Sequence, residues 1–468
     1  MPKYAVTPKS RVNEGADLGS VELGVCNNST SKNDLVDYTY DPYASRTVRL
    51  PTSFSETLIH LLKASLGTGI LSMPVAFKNS GYVIGILGTI VIGILSTYMI
   101  HLLIQSSYEL CVKKRVPSLT YSETVAAAFE EGPLCTRWMA SYARTLTDWF
   151  LVVYQVGSSI IYIIFIGQNL QMVINAYFEV NIEEKWYQLF LFIPMVLISL
   201  IRSLKHLAPF SSIATAFSLI SFICVFYYIF REPMSMENRV AVGSGKTMPL
   251  FFGTVLFAME AVGVILPLEN EMAHPRRFTS MFGVLNISFV PITILYCVVG
   301  LFGYIKYGEN VKDTITLSIP KNEMLSGVTK ILLSISIYFG YALSNYVAFD
   351  ILWSKIKNLI VDNRIPNIYF EYMLRIVIVC ITFLLAFTLP YLNILISLMG
   401  SLCLSAVGIA IPAIVNYLTF FKSYEKGTWR YYLFIARNLV IVLIAVYALV
   451  VGVYQNILEI MEKVANSK

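Results

Sequence analysis

Charge is what this chain is short of. Lys, Arg, Asp and Glu make up 14% of its 468 residues, against 56% hydrophobic residues. A soluble domain typically carries about 25% charged residues, so too few are present to cover a water-facing surface. Short segments of alternating hydrophobicity are missing, which excludes a transmembrane β-barrel. The seven cysteines, at positions 26, 111, 135, 224, 297, 380 and 403, show no metal-ligand spacing. Most fall in or beside apolar stretches, where cysteine packs as a small hydrophobe. No cluster of His, Asp and Glu, no Gly-x-Ser-x-Gly and no His-Glu-x-x-His occurs, so neither an enzyme nor a metal or cofactor site is expected. The net charge of +6 reports membrane topology in a chain of this kind, and no nucleic-acid partner is expected. The first apolar run begins only near Thr57, so no signal peptide is expected. Residues 1–55 are polar and mixed in charge and read as a disordered tail.

What the chain does have is long apolar stretches, each near the 20 or so residues a helix needs to cross a bilayer. They predict an all-α polytopic membrane protein of about eleven spans: 57–77, 83–110, 146–176, 187–201, 208–230, 249–268, 282–305, 327–352, 369–388, 393–421 and 432–455. The expected organisation is one transmembrane domain over 56–455, with five spans in 57–230, five in 249–421, an added helix at 432–455 and a short tail at 456–468. With the N-terminus placed in the cytoplasm, the inner side carries about 23 Lys and Arg and the outer side roughly 11, the asymmetry expected of a cytoplasmic N-terminus.

Two spans are unlike the rest. The first holds Gly67–Thr68–Gly69–Ile70–Leu71–Ser72–Met73–Pro74, and the sixth holds Glu260–Ala261–Val262–Gly263–Val264–Ile265–Leu266–Pro267. Glycine weakens a helix and proline removes a ladder donor. Backbone freed at membrane depth is tolerated only against protein or a wet cavity, so both spans are expected to be discontinuous, with a binding site at the break. The breaks lie about 194 residues apart and each opens a block of five spans. That is the pattern of a five-plus-five inverted-repeat carrier with discontinuous helices 1 and 6. Freed amides there suit a carboxylate, and freed carbonyls suit an ammonium or a cation.

Ionisable groups at membrane depth are costly and are functional candidates for that reason. His60, near the start of the first span, titrates near neutrality and is a natural proton carrier. Glu260 sits beside the second break, placed to take a proton or to pair with a substrate ammonium. Lys63 can snorkel to the interface, and Glu269 and Glu271 fall at a span end, where solvation or ion pairing is expected. Asp148, Gln155, Tyr162 and Gln168–Asn169 run along the third span, with Tyr162 near mid-membrane and able to donate to a carboxylate. Tyr338, Tyr341, Ser344 and Asn345 form a polar stripe on the eighth span, readable as a cavity wall or as interhelical hydrogen bonding.

The run Glu56–Thr57–Leu58–Ile59–His60–Leu61–Leu62–Lys63, followed by Gly67–Thr68–Gly69 and Pro74, resembles the first helix of the proton-coupled amino acid transporters, within the amino acid/auxin permease group of the APC superfamily. Phe252–Gly253–Thr254, Glu260, Gly263 and Leu266–Pro267–Leu268–Glu269–Asn270 resemble that family's sixth helix. Leu119–Thr120–Tyr121 and Asp148–Trp149–Phe150 also match. The resemblance covers about 52–455 and implies symport of small neutral amino acids, such as alanine, glycine or proline, with a co-transported proton. It implies proton coupling at His60 and Glu260, and substrate contacts at Ser65, Gly67, Thr68, Gly69, Tyr162, Phe257, Glu260 and Gly263. The chain departs from the family where Ser65–Leu66 precedes the Gly-Thr-Gly in place of an Asn, which bears on selectivity. The loops at 177–186 and 231–247 also lack the cysteines of the extracellular disulfide found in the family's vertebrate members. A nutrient sensor with signalling partners at the N-terminal tail, and a sodium-coupled or uncoupled carrier, stand as alternatives. The plasma membrane and the lysosomal or late endosomal membrane are both open.

Overall fold

The computed structural model describes residues 40–48, 51–65, 67–202, 204–259, 262–357, 367–389 and 391–466. Glu260, Cys26, Arg364 and the segment 1–39 lie outside the described residues. The described chain is helical almost throughout. The first span runs as three pieces: α1 (Phe54–Ser65), α2 (Thr68–Leu71) and α3 (Met73–Ser80). The second is α4 (Tyr82–Lys114), ended by Arg115 in the left-handed region at φ 53°. A helix not anticipated from hydropathy, α5 (Tyr121–Glu131), follows, because only one of its faces is apolar. Its start is written in the sequence nonetheless: the Thr120 hydroxyl accepts from the Glu123 amide while the Glu123 carboxylate accepts from the Thr120 amide.

The third span, α6 (Ala140–Tyr177), begins six residues earlier than expected. It is followed by α7 (Glu184–Ser199) and α8 (Leu204–Phe230). The sixth span is α9 (Met248–Ala258) and α10 (Val262–Glu271). Then come α11 (Val284–Tyr307), α12 (Met324–Ile356) and α13 (Asn367–Thr388). The tenth span is α14 (Leu392–Met399), a π-helical stretch Gly400–Ala410, and α15 (Ile411–Phe420); α16 (Trp429–Asn466) is last.

Nine of the described helical segments are long and apolar enough to cross a membrane. Of the eleven expected spans, the first falls short because it is cut into pieces, and the fourth because α7 has only 16 residues. Burial sorts the helices. In α6, Ile160, Ile161, Ile163, Ile164, Phe165 and Ile166 are all buried, so this middle stretch of the helix is covered on every side. In α4 and α16 apolar residues face outward instead: Val91 is 62% exposed, Ile94 66% and Leu443 58%. Apolar side chains on the outside of a fold mark contact with lipid rather than water.

Part of the expected tail is folded. Asp41 caps a helical turn, Pro42–Ser45, and this lead segment packs against the end of α10 and the loop behind it. A parallel bridge, Thr52 with Met272, continues the attachment. The end of the bundle carrying this segment is called the lead end. At the other, the loop end, residues 240–243 bond to the main chain at 80–83: Tyr82 donates to the Val240 carbonyl (3.1 Å), Val83 to Ala241 (3.0 Å) and Gly243 to Ser80 (2.7 Å).

Candidate functional site

The first break forms because helical geometry is abandoned at Gly67, which takes extended angles (φ −104°, ψ −155°). Pro74 sits in the first turn of α3, where an absent amide costs no helical bond. Ser65 turns its hydroxyl back to the Leu61 carbonyl (3.1 Å). The Thr68 hydroxyl is buried and has no hydrogen-bond partner among the described residues. The second break follows Ala258, whose helix ends with the Met259 amide donating to the Val255 carbonyl (3.0 Å). The two breaks touch. Gly69 lies so close to Ala258 that a Cβ at 69 would collide with the Ala258 backbone. Tyr296, on α11, donates its hydroxyl to the Ala258 carbonyl (2.7 Å) and to the Ser65 carbonyl.

Beside the breaks lies a cavity of about 440 Å³. On the first span it is lined by His60, Lys63, Gly67 and Thr68, and on the sixth by Gly263 and Val264. The third span contributes Tyr154, Gln155 and Tyr162; the fifth, Thr215 and Ser218; the eighth, Gly340 and Ser344. Tyr162 and Ser344 face it from the third and eighth spans. A Cβ at Gly67 would meet open space, and one at Gly263 or Gly340 only the distant edges of Gln155 (3.9 Å) and Tyr162 (3.7 Å). The wall is thus kept wide by glycine.

Of the residues singled out from sequence, the cavity gathers His60, Gly67, Thr68, Tyr162 and Gly263. It is not lined by Ser65, Gly69 or Phe257. Ser65 is 3% exposed, Gly69 packs against Ala258, and Phe257 packs on Tyr154 with ring centres 6.1 Å apart. The polar stripe on α12 divides: Ser344 faces the cavity, while Tyr338 donates to the Pro194 carbonyl (2.8 Å) and Asn345 to the Ser199 hydroxyl (3.4 Å). Asp148 is ion-paired to Lys355 (2.9 Å). Glu269 is neither solvated nor at a free surface: it is 2% exposed and takes two parallel hydrogen bonds from Arg46, at 3.2 and 3.1 Å. Sequence reasoning passed over Arg46 and Tyr296. Arg46 lay in a stretch read as tail, and a tyrosine within an apolar span carries no signal of its own.

A bundle of apolar-surfaced helices, two of them broken beside a cavity with a few polar groups in a mostly apolar wall, is a multi-pass membrane transporter fold. Solved structures similar in fold include Mhp1 in its inward-facing conformation, with a TM-score of 0.55 at 11% identity over 91% of this chain and 92% of that one. They also include Mhp1, a nucleobase-cation-symport-1 family transporter, closed with bromovinylhydantoin bound, with a TM-score of 0.50 at 13% identity over 91% and 94%. The family model for "Transmembrane amino acid transporter protein" matches residues 51–458, and the chain belongs to that family. Among curated relatives, the proton-coupled amino acid transporter-like protein pathetic of Drosophila melanogaster is 32% identical over 94% of this chain and 92% of its own length. The probable amino acid transporter skat-1 of Caenorhabditis elegans is 25% identical over 92% and 95%. The chain is an amino acid transporter by family, built on a transporter fold.

Proposed function

We propose that the chain carries small neutral amino acids together with protons by alternating access, with the cavity at the helix breaks as the substrate site. The observation that carries the reading is Thr68: a buried hydroxyl with no hydrogen-bond partner among the described residues, at the point where the first span unwinds, lining the cavity with Gly67 and Tyr162. Freed amides of the Gly67–Thr68–Gly69 turn and the Thr68 and Tyr162 hydroxyls suit a carboxylate, while the walls beyond are largely aliphatic and aromatic. At about 440 Å³ the space is small for a ligand site, since such sites run from about 300 to 1,000 Å³. Alanine, glycine and proline are the expected cargo.

His60 lines the same cavity and is exposed, so it has access to water and to the substrate space at once. It is the proposed proton carrier, with Glu260 as its counterpart at the second break. The relative in Drosophila is described as proton-coupled amino acid transporter-like, which supports the same coupling. The lead end is taken as cytoplasmic from the excess of Lys and Arg, and the outer side as the acidic one, at the plasma membrane or a lysosomal or late endosomal membrane. A gradient of about two pH units supplies about 2.7 kcal/mol, and a potential of about 100 mV adds about 2.3.

The test is current and radiolabelled uptake with alanine, glycine, proline and a basic amino acid, in outside solutions of about pH 5.5 and 7.5, with and without sodium. Neutral substrates are expected to drive an inward current that grows at low pH and needs no sodium. His60→Ala is expected to abolish the pH dependence. Normal pH-dependent uptake by that variant would remove the role from His60, and uptake without current would remove proton coupling altogether.

A further inference from the structure

The half-helices α1 and α9 approach the breaks from opposite ends. α1 starts at the lead end, beside the Thr52–Met272 bridge, and α9 starts at the loop end, after the segment that bonds to residues 80–83. Ser65 is the last residue of α1 and Ala258 the last of α9. Their carbonyls belong to the last-turn groups that a helix leaves without an internal donor, and both stand at the negative end of a helix dipole. One side chain serves both: the Tyr296 hydroxyl donates to Ala258 at 2.7 Å and to Ser65. Tyr296 is fully buried and does not line the cavity, so it holds the breaks from behind while substrate space lies in front. Gly69 against Ala258 is a second close approach of the two breaks, and it is packing without a polar bond.

A phenol has one proton and two carbonyls to serve, so the pair competes for it. Any tilt of α1 that moves Ser65 away shifts the proton toward Ala258, and a shift of α9 moves it toward Ser65.

We propose that Tyr296 is the positioning residue that ties the two helix breaks together, passing its hydroxyl hydrogen bond between Ser65 and Ala258 so that opening at one end of the cavity is linked to closing at the other. The proposal rests on the transport reading above for its role in turnover, but its geometry can be tested without transport. It assigns Tyr296 no contact with substrate.

Tyr296→Phe removes the hydroxyl and keeps the ring. Maximal uptake is expected to fall at least about tenfold, the size that goes with leaving a buried carbonyl without its donor, while the half-saturating concentration changes less than about threefold. In parallel, a cysteine placed at Val347 on the cavity wall, with Cys26, Cys135, Cys224, Cys297 and Cys380 replaced by Ser so that only the buried Cys111 and Cys403 remain, reports the state of the cavity through its rate of maleimide labelling. Introducing Tyr296→Phe into that reporter chain is expected to change the rate at least about threefold. Unchanged labelling and unchanged maximal rate overturn the proposal, as does a loss carried by the half-saturating concentration alone, which would make Tyr296 a substrate contact. If wild type shows no uptake, the transport reading fails, and a labelling change still upholds the link. If Tyr296→Phe does not fold, judged by its unfolding profile, 3-fluorotyrosine at 296 keeps ring and hydroxyl and sharpens the donor. A slowed maximal rate or altered labelling then supports the link, and wild-type behaviour in both overturns it.

Discussion

At the lead end Arg46 meets Glu269 with 8% and 3% of the two side chains exposed; at the loop end Lys306 meets Glu232, whose side chain is 67% exposed. The contrast extends around each pair. Arg46 also donates from Nε to the Pro117 carbonyl (2.8 Å) and its guanidinium lies 4.7 Å from the centre of the Tyr43 ring, so the ion pair is walled in by the lead segment. Both ends carry main-chain bonds, Thr52 with Glu271 and Ala273 at the lead end and 240–243 with 80–83 at the loop end, where Arg239 also donates to the Ile305 carbonyl at 3.0 and 2.9 Å. A buried pair is all or nothing, because half of it is an uncompensated charge. Main-chain bonds and exposed pairs give way in small steps. The lead end therefore holds a contact that is either whole or lost, with no intermediate step.

The largest expected effect tests that directly. Arg46→Ala strands Glu269 and is expected to cost about 3–5 kcal/mol, read as a lower thermal midpoint in detergent, whereas an apolar pair, Arg46→Met with Glu269→Leu, recovers most of the loss. If the single variant melts like wild type, the two ends do not differ as described. Next is Lys355→Ala at the lead end. Asp148, with 12% of its side chain exposed, loses its ion-pair partner, at a cost of about 1–3 kcal/mol; a double-mutant cycle with Asp148→Asn isolates it.

A pH effect separates the loop end further. Glu184, the first residue of α7 and ahead of its apolar run, is pushed up to about 7, chiefly by burial, with the nearby Asp313 charge adding to the rise. The amides of Gln168 and Gln188 oppose it, the latter donating at 2.7 Å. Below the ordinary carboxylate range both folded and unfolded chains hold this proton. As pH rises to about 7 only the folded chain keeps it, so stability falls with pH across that window and levels above it. Glu184→Gln is expected to flatten the fall, measured as the midpoint difference between acidic and mildly alkaline buffer. An equal slope in the variant assigns the fall to other groups. Smallest is Lys306→Ala at the loop end, expected to cost under about 1 kcal/mol; a larger loss would mean that the exposed pair matters as much as the buried one.

Much of this molecule was legible in advance. The breaks were readable because glycine followed by proline in an apolar run has few other uses, and His60, Gly67, Thr68, Tyr162 and Gly263 do meet at one cavity. Ser65, Gly69 and Phe257 share the same local sequence yet turn the other way, since which face of an unwound turn points to the cavity depends on the neighbouring helices. Hydropathy missed α5, which is amphipathic and too short to span, although its Thr120–Glu123 cap was there to find. The fold of Pro42–Ser45 was hidden because its hold is supplied by partners more than 200 positions away, Glu269 and Arg276. No window-based reading reaches that far.

The bridge between Thr52 and Met272 carries a last consequence. Its two bonds run from the Thr52 amide to the Glu271 carbonyl and from the Ala273 amide to the Thr52 carbonyl, both at 2.9 Å. Neither involves a side chain, so every residue type except proline at 52 or 273 can make them. The seam that joins the start of the first helix to the end of the sixth can thus be inherited without any letter of it being preserved. Sequences that drift freely on both sides of the seam can keep the same mechanical joint.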